Sequence, residues 1–243
     1  MTFSLLIALP FLAIAVGLGK GGLGGAFAGI ITPLVSIFMP VKEAIAVLLP
    51  MLIVGDWLAL RVYWREWDNQ EIRWLMPVGL LGVVAGTYLL VSLPTETLRH
   101  LLGILSLVIA VYKLIEPRLR QLQYQPHRWH TLLAGTLAGT ASAVASAGGP
   151  VMTAYLLLQK TPPRTFIATT TLFFAVTNLA RLPALFAADV FEWEKLRVVI
   201  LFMPLVWVGA ILGWRFIEVV NPVMFDRLMT VILIFAGIIL IVL

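Results

Sequence analysis

Lys20 sits in the run Gly17-Leu18-Gly19-Lys20-Gly21-Gly22-Leu23-Gly24-Gly25, one cation among six glycines, with apolar residues on both sides. A cation inside a membrane segment costs at least ~2.5 kcal/mol and marks a functional site by default. Glycines let backbone approach closely, and a helix starting near Leu23 would aim its positive end at the same place. An ammonium beside a helix N-terminus is an anion site. Lys20, Gly21, Gly22 and Gly24 are therefore candidate anion-binding residues. The alternative is a surface loop between two spans, with Lys20 snorkelling to an interface.

A second break follows in the other half of the chain, from Gly139 through Ser142 and Ser146 to Gly148-Gly149-Pro150. Pro150 suits the first turn of a helix, where its missing N–H would be unpaired anyway. Ser146 with Gly148 and Gly149 could present hydroxyl and amide donors to an oxyanion. The same small residues also serve close helix packing in membranes. Asp56 and Asn178 occupy analogous places in the third apolar block of each half, and Arg181 follows Asn178 at i+3, on the same helix face. Asp56 is the candidate for proton coupling, and Asn178 and Arg181 join the candidate substrate site, since a guanidinium pairs well with an oxyanion. A structural ion pair, even one between Asp56 and Arg181, is the competing reading.

Other chemistries are absent from the pattern. With no cysteine there is no disulfide, thiolate zinc site or iron–sulfur ligation. His-Glu-x-x-His and Gly-x-Ser-x-Gly are missing, and the Lys20 run lacks the Ser/Thr that follows a P-loop lysine. His127 and His130 have the i, i+3 spacing of a metal pair but no carboxylate cluster beside them. The reading is no enzyme, no cofactor and no metal.

These residues have to be held by apolar elements. Hydrophobic residues make up 61% of the chain and charged ones 12%, with mean hydropathy +1.01, against roughly 45–50% and about 25% in soluble domains. That excludes a water-soluble domain. The net charge of +5 is a topology signal and not nucleic-acid affinity. Apolar blocks run over about 3–18, 23–39, 44–60, 74–93, 98–115, 131–147, 149–158, 166–188, 198–220 and 226–243. A full span needs about 20 residues, so the short blocks beside each break are either tilted spans or arms of re-entrant hairpins. The start of the chain, Met1-Thr2-Phe3-Ser4, lacks the basic region of a signal peptide and reads as part of the first membrane segment.

The polar stretch 116–130 divides the chain into membrane repeats 1–115 and 131–243. At an offset of 127, Met76-Pro77 falls on Met203-Pro204, Gly82 on Gly209 and Gly86 on Gly213. One inserted residue later, Pro94 falls on Pro222 and Arg99 on Arg227. With the basic linker in the cytoplasm, an inverted second half puts Lys160, Arg164, Arg215 and Arg227 inside too, with Lys42, Arg99, Lys195 and Arg197 outside. A parallel repeat distributes them less asymmetrically. The expected fold is an all-α polytopic membrane protein of two inverted repeats of helices, with broken or re-entrant glycine-rich segments and the C-terminus outside.

Two breaks in corresponding places are the pointer to a secondary transporter. The order GLGKGGLGGAFAGIITPLVSIF, then an acidic-tipped helix, then SAGGPVMTAYLLLQK a half-length later, resembles the sulfite exporter TauE/SafE family, also called the toluene-sulfonate uptake permeases. The resemblance covers essentially the whole chain. It implies a multi-pass inner-membrane transporter for sulfite, sulfoacetate or other organosulfonates, working by alternating access. The partners it brings are a small sulfur-containing anion and the bilayer, with proton coupling and a homodimer compatible with it. The alternatives are an anion channel and a non-transporting membrane-embedded binding or scaffold subunit.

Overall fold

The computed structural model describes residues 3–23, 25–119, 127–216 and 222–242. Gly24, one of the expected site residues, lies outside the described residues, as do residues 120–126 of the linker. Among the described residues the elements are all helical. Helix α1 (Phe3–Leu18) runs into a π-helical turn, Gly19–Leu23, and α2 is Gly25–Ser36. The half is completed by α3 (Val41–Val62), α4 (Asn69–Ser92) and α5 (Thr95–Leu119). The second half holds α6 (Arg128–Ala145), α7 (Gly149–Leu158), α8 (Pro163–Ala180), α9 (Leu182–Ala187), α10 (Trp193–Phe216) and α11 (Pro222–Val242).

Five segments are long and apolar enough to cross a membrane among the described residues: Val41–Val62, Asn69–Ser92, Thr95–Glu116, Pro163–Ala187 and Trp193–Gly213. The 22 residues of α3 extend about 33 Å at about 1.5 Å each, close to the hydrocarbon thickness of about 30 Å. The apolar runs 3–18 and 149–158 coincide with α1 and α7. The run 166–188 does not form one helix. It divides at Arg181, because Pro183 has no N–H for the carbonyl of Leu179 and its ring crowds that carbonyl. The polar linker is helical at both ends, since α5 continues to Leu119 and α6 begins at Arg128. His127 and His130 sit at that start, where the His127 N–H donates to His130 Nδ1 at 3.3 Å.

The two halves pack reciprocally. The opening helix of each lies against the last helix but one of the other, α1 on α10 and α6 on α4, while α3 meets α8 and α5 meets α11. Both α1·α10 and α4·α6 are glycine seams. A Cβ on Gly17 would strike the carbonyl of Val206, and one on Gly209 that of Ile14. Across the other seam a Cβ on Gly139 would strike the Gly79 carbonyl, and one on Gly82 that of Thr136. In lipid, where helices gain little from burying apolar surface against each other, such close backbone approach supplies the packing contact. The matched residues Gly82 and Gly209 thus do the same job in the two seams.

Candidate functional site

The two breaks are built differently. The first keeps helical form as a π turn, a device that inserts one extra residue into a helix and often stands at functional sites. Lys20 leaves this turn toward α3. Gly55 makes room for it there, since a Cβ on Gly55 would lie 2.9 Å from Lys20 Cγ. The ammonium forms an ion pair with Asp56 Oδ1. The other carboxylate oxygen, Oδ2, accepts a hydrogen bond of 2.6 Å from Asn178 Nδ2 on α8. Side-chain exposure is 10% for Lys20 and 1% for Asp56. A buried pair holds only when further hydrogen bonds satisfy its remaining lone pairs, and Asn178 does that here.

The second break is a true interruption. Ser146 adopts a left-handed conformation, φ 52°, ψ 26°, at the end of α6. The Ser146 N–H donates to Ser142 O at 2.8 Å, the 5→1 bond of an αL stop, and the Ala147 N–H donates to Ala141 O at 3.2 Å. The last carbonyls of a helix need partners, and these two N–H groups reach only those of Ser142 and Ala141. Arg181 adds further donors: Nη1 donates to the carbonyls of Ser142 and Ala143, and Nη2 donates to Ser146 Oγ at 3.1 Å. Arg181 is 1% exposed. Its cation also lies where the negative end of the α6 dipole favours one.

Past this stop, Gly148 and Gly149 open α7. A Cβ on Gly148 would strike the Ala138 carbonyl and stand 2.8 Å from the Phe174 ring, so this glycine is a close-approach position. The far end of α7 is tied down as well. Tyr155 donates its hydroxyl to Glu71 Oε2 at 2.6 Å and shares a 2.5 Å hydrogen bond with Thr131 Oγ1.

The breaks meet at a small cavity lined by Lys20, Leu52, Ser142, Ser146, Gly149, Phe174 and Asn178. It leaves ≈ 10 Å³ for the centre of a water, room for about one molecule. Both halves contribute walls. Around it stand two cations and one carboxylate, Lys20, Arg181 and Asp56, and the first turn of α7 adds the partial positive charge of a helix N-terminus. The Lys20 ammonium also lies 5.6 Å from the centre of the Phe174 ring, within cation–π range.

Of the residues singled out in the sequence, Lys20, Ser146, Gly149 and Asn178 line this cavity, and Asp56 stands behind Lys20. Gly21 packs elsewhere, since a Cβ there would strike the Ala210 carbonyl of α10. Gly22 lies in the π turn beside Lys20. Arg181 is joined to Ser142, Ala143 and Ser146 and not to Asp56. The cavity wall also includes Phe174 and Leu52, which the sequence reading passed over. Phe174 precedes Asn178 by one helical turn, so i, i+4 spacing was the signal for it. Leu52 precedes Asp56 by the same interval.

This is a multi-pass membrane protein in which two broken helical segments enclose a buried ionic site. The family model for the sulfite exporters TauE/SafE matches residues 9–240, nearly the whole chain, and the chain belongs to that family. Its members are membrane transporters and not enzymes. No curated protein and no solved structure matches the chain.

Proposed function

We propose that the protein is a secondary transporter of the inner membrane that carries small sulfur-containing oxyanions, sulfite or an organosulfonate, through the cavity between the two breaks. The observation that carries this reading is the convergence of Lys20, the Ser142 and Ser146 segment, Asn178 and the first turn of α7 on one buried space. An ammonium, small hydroxyls, an amide and a helix N-terminus are the donors that an anionic sulfur–oxygen head group accepts from. Gly21 and Gly22 belong to the π turn that carries Lys20. Arg181 adds charge from behind the α6 end.

A head group of several heavy atoms does not fit beside one water, so loading requires the halves to separate at the cavity. That favours alternating access over a channel, in which a continuous path stays open. The reciprocal packing of the halves suits a rocking motion of one against the other. The excess of basic residues on the linker side supports the inverted orientation. A reporter fused after Leu243 that is active only in the cytoplasm would overturn it.

Proteoliposomes loaded with unlabelled sulfonate and supplied with labelled sulfonate outside test the transport reading. Saturable counterflow is the expected result, and a panel of sulfite, sulfoacetate and simple alkanesulfonates ranks the substrates. Linear, non-saturating flux would indicate a channel. Binding without flux would indicate a non-transporting subunit.

A further inference from the structure

The site has a feature that a simple anion trap would lack: Lys20, the cation among the described residues that line the cavity, is already paired. Lys20 is joined to Asp56, and the second cation, Arg181, is held by the carbonyls of Ser142 and Ala143 and by Ser146. An incoming anion therefore competes with a carboxylate of the protein. If Lys20 turned to the anion while Asp56 stayed ionised, a buried carboxylate would be left with Asn178 alone, an arrangement that low-polarity surroundings penalise heavily. A proton on Asp56 removes that penalty. It also lets the acid keep the Asn178 contact, since a protonated carboxyl retains an accepting oxygen.

We infer that Asp56 and the transported anion exchange places on Lys20, so that each anion binds together with one proton taken up by Asp56. The inference rests on the anion site described under Proposed function and adds its coupling ion. The proton enters from whichever aqueous side the cavity faces, settles on a carboxylate oxygen of Asp56, and leaves when the anion leaves and Lys20 returns. For a monoanion the cycle moves no net charge, and a proton gradient drives it.

Among the described residues, no second carboxyl and no imidazole is bonded to Asp56 or its partners Lys20 and Asn178. The π turn contributes Lys20, and α8 contributes Asn178 and, at longer range, Arg181. Helices α1 and α2, which also pack on α3, carry no titratable side chain in Phe3–Leu18 and Gly25–Ser36. On α5 and α10 the charged residues lie toward the helix ends, and none is bonded to Asp56.

The test is binding of methanesulfonate, a monoanion throughout the working range, to the purified protein in nanodiscs across a pH series. The parent should lose affinity about tenfold per pH unit on the alkaline side, as linkage to one proton requires. Titrations in two buffers of different ionisation heat should report uptake of one proton per anion. Asp56→Asn, which imitates the protonated acid, should bind with no pH slope. Saturable binding by the parent without pH slope or proton uptake would overturn the exchange, and so would an Asp56→Asn variant that keeps the parent's slope. If Asp56→Asn does not fold, proton uptake by the parent decides alone. Absence of saturable binding at every pH would instead sink the anion site itself, and the exchange with it.

Discussion

The first and second breaks hold one cation each beside the cavity, but they hold them by opposite means. At the first, the cation belongs to the broken segment: Lys20 rises from the π turn and pairs with Asp56 on the third helix of its own half. At the second, the cation comes to the broken segment from outside. Arg181, at the end of α8, reaches the open end of α6. A π turn keeps most of its backbone groups bonded within the helix, so its lysine is left for a side-chain partner and, in exchange, for a ligand. An interrupted helix leaves carbonyls that must be bonded inside the protein, and its arginine is committed to them. A planar guanidinium with several donors suits the second task, and a point-like ammonium on a flexible stem suits the first.

If that division is right, Arg181→Met should have the largest effect, and the effect should fall on the fold. It leaves the buried carbonyl of Ala143 without its Arg181 partner and takes a second donor from Ser142 O and Ser146 Oγ, at about 1–3 kcal/mol for a buried group left unsatisfied. The expected outcome is little folded protein on size-exclusion chromatography in detergent. Well-folded Arg181→Met that has lost only anion binding would erase the contrast and make Arg181 a ligand.

Next in size stands the pair of adjacent glycines. Gly148→Ala drives a methyl into the Ala138 carbonyl, and overpacking of this kind costs about 1–3 kcal/mol, so its melting temperature should fall. Gly149 lines the cavity, and Gly149→Ala should reduce transport with a smaller loss of stability. Equal effects of the two would mean that the second break serves packing alone.

Lys20→Met keeps the stem and removes the charge. It should weaken sulfonate binding more than tenfold, a factor of ten being about 1.4 kcal/mol, and lower the melting temperature as well, since it leaves the buried Asp56 carboxyl with Asn178 alone. Lys20→Arg should keep part of the function, because charge survives while geometry changes. Parent-like binding by Lys20→Met would move the site toward Arg181 and reverse the comparison.

The smallest effect is expected at Tyr155, remote from both cations. Tyr155→Phe removes the hydroxyl shared by Glu71 and Thr131 and should cost about 0.5–1.5 kcal/mol of stability, read as a slightly lower melting temperature with binding affinity retained. A collapse of binding would show that the far end of α7 sets the position of its first turn at the cavity.

Much of this molecule was legible from residue order alone. The helices and their approximate ends follow from apolar runs, because in lipid a segment without polar side chains has few ways to satisfy its backbone except as a helix. The glycines matched at an offset of 127, Gly82 and Gly209, both lie in close helix seams, and the lone lysine among glycines lies in the π turn that follows α1. The division of 166–188 at Pro183 was also written in the chain but hidden by its uniform hydropathy.

Partner choice belonged to the tertiary structure. Lys20 and Asp56 are 36 residues apart and Asn178 and Asp56 are 122 apart, and nothing local links them. Asp56 and Asn178 could be read as equivalent positions, yet only the packing of α3 against α8 turned equivalence into contact. Whether Arg181 would meet Asp56 or the end of α6 depended on where α6 stops, and that stop depends on the left-handed turn at Ser146. Helix formation is decided by neighbours in the chain and by the solvent around it. Which buried charge satisfies which is decided by helix crossings, and those follow from contacts between residues far apart in the sequence.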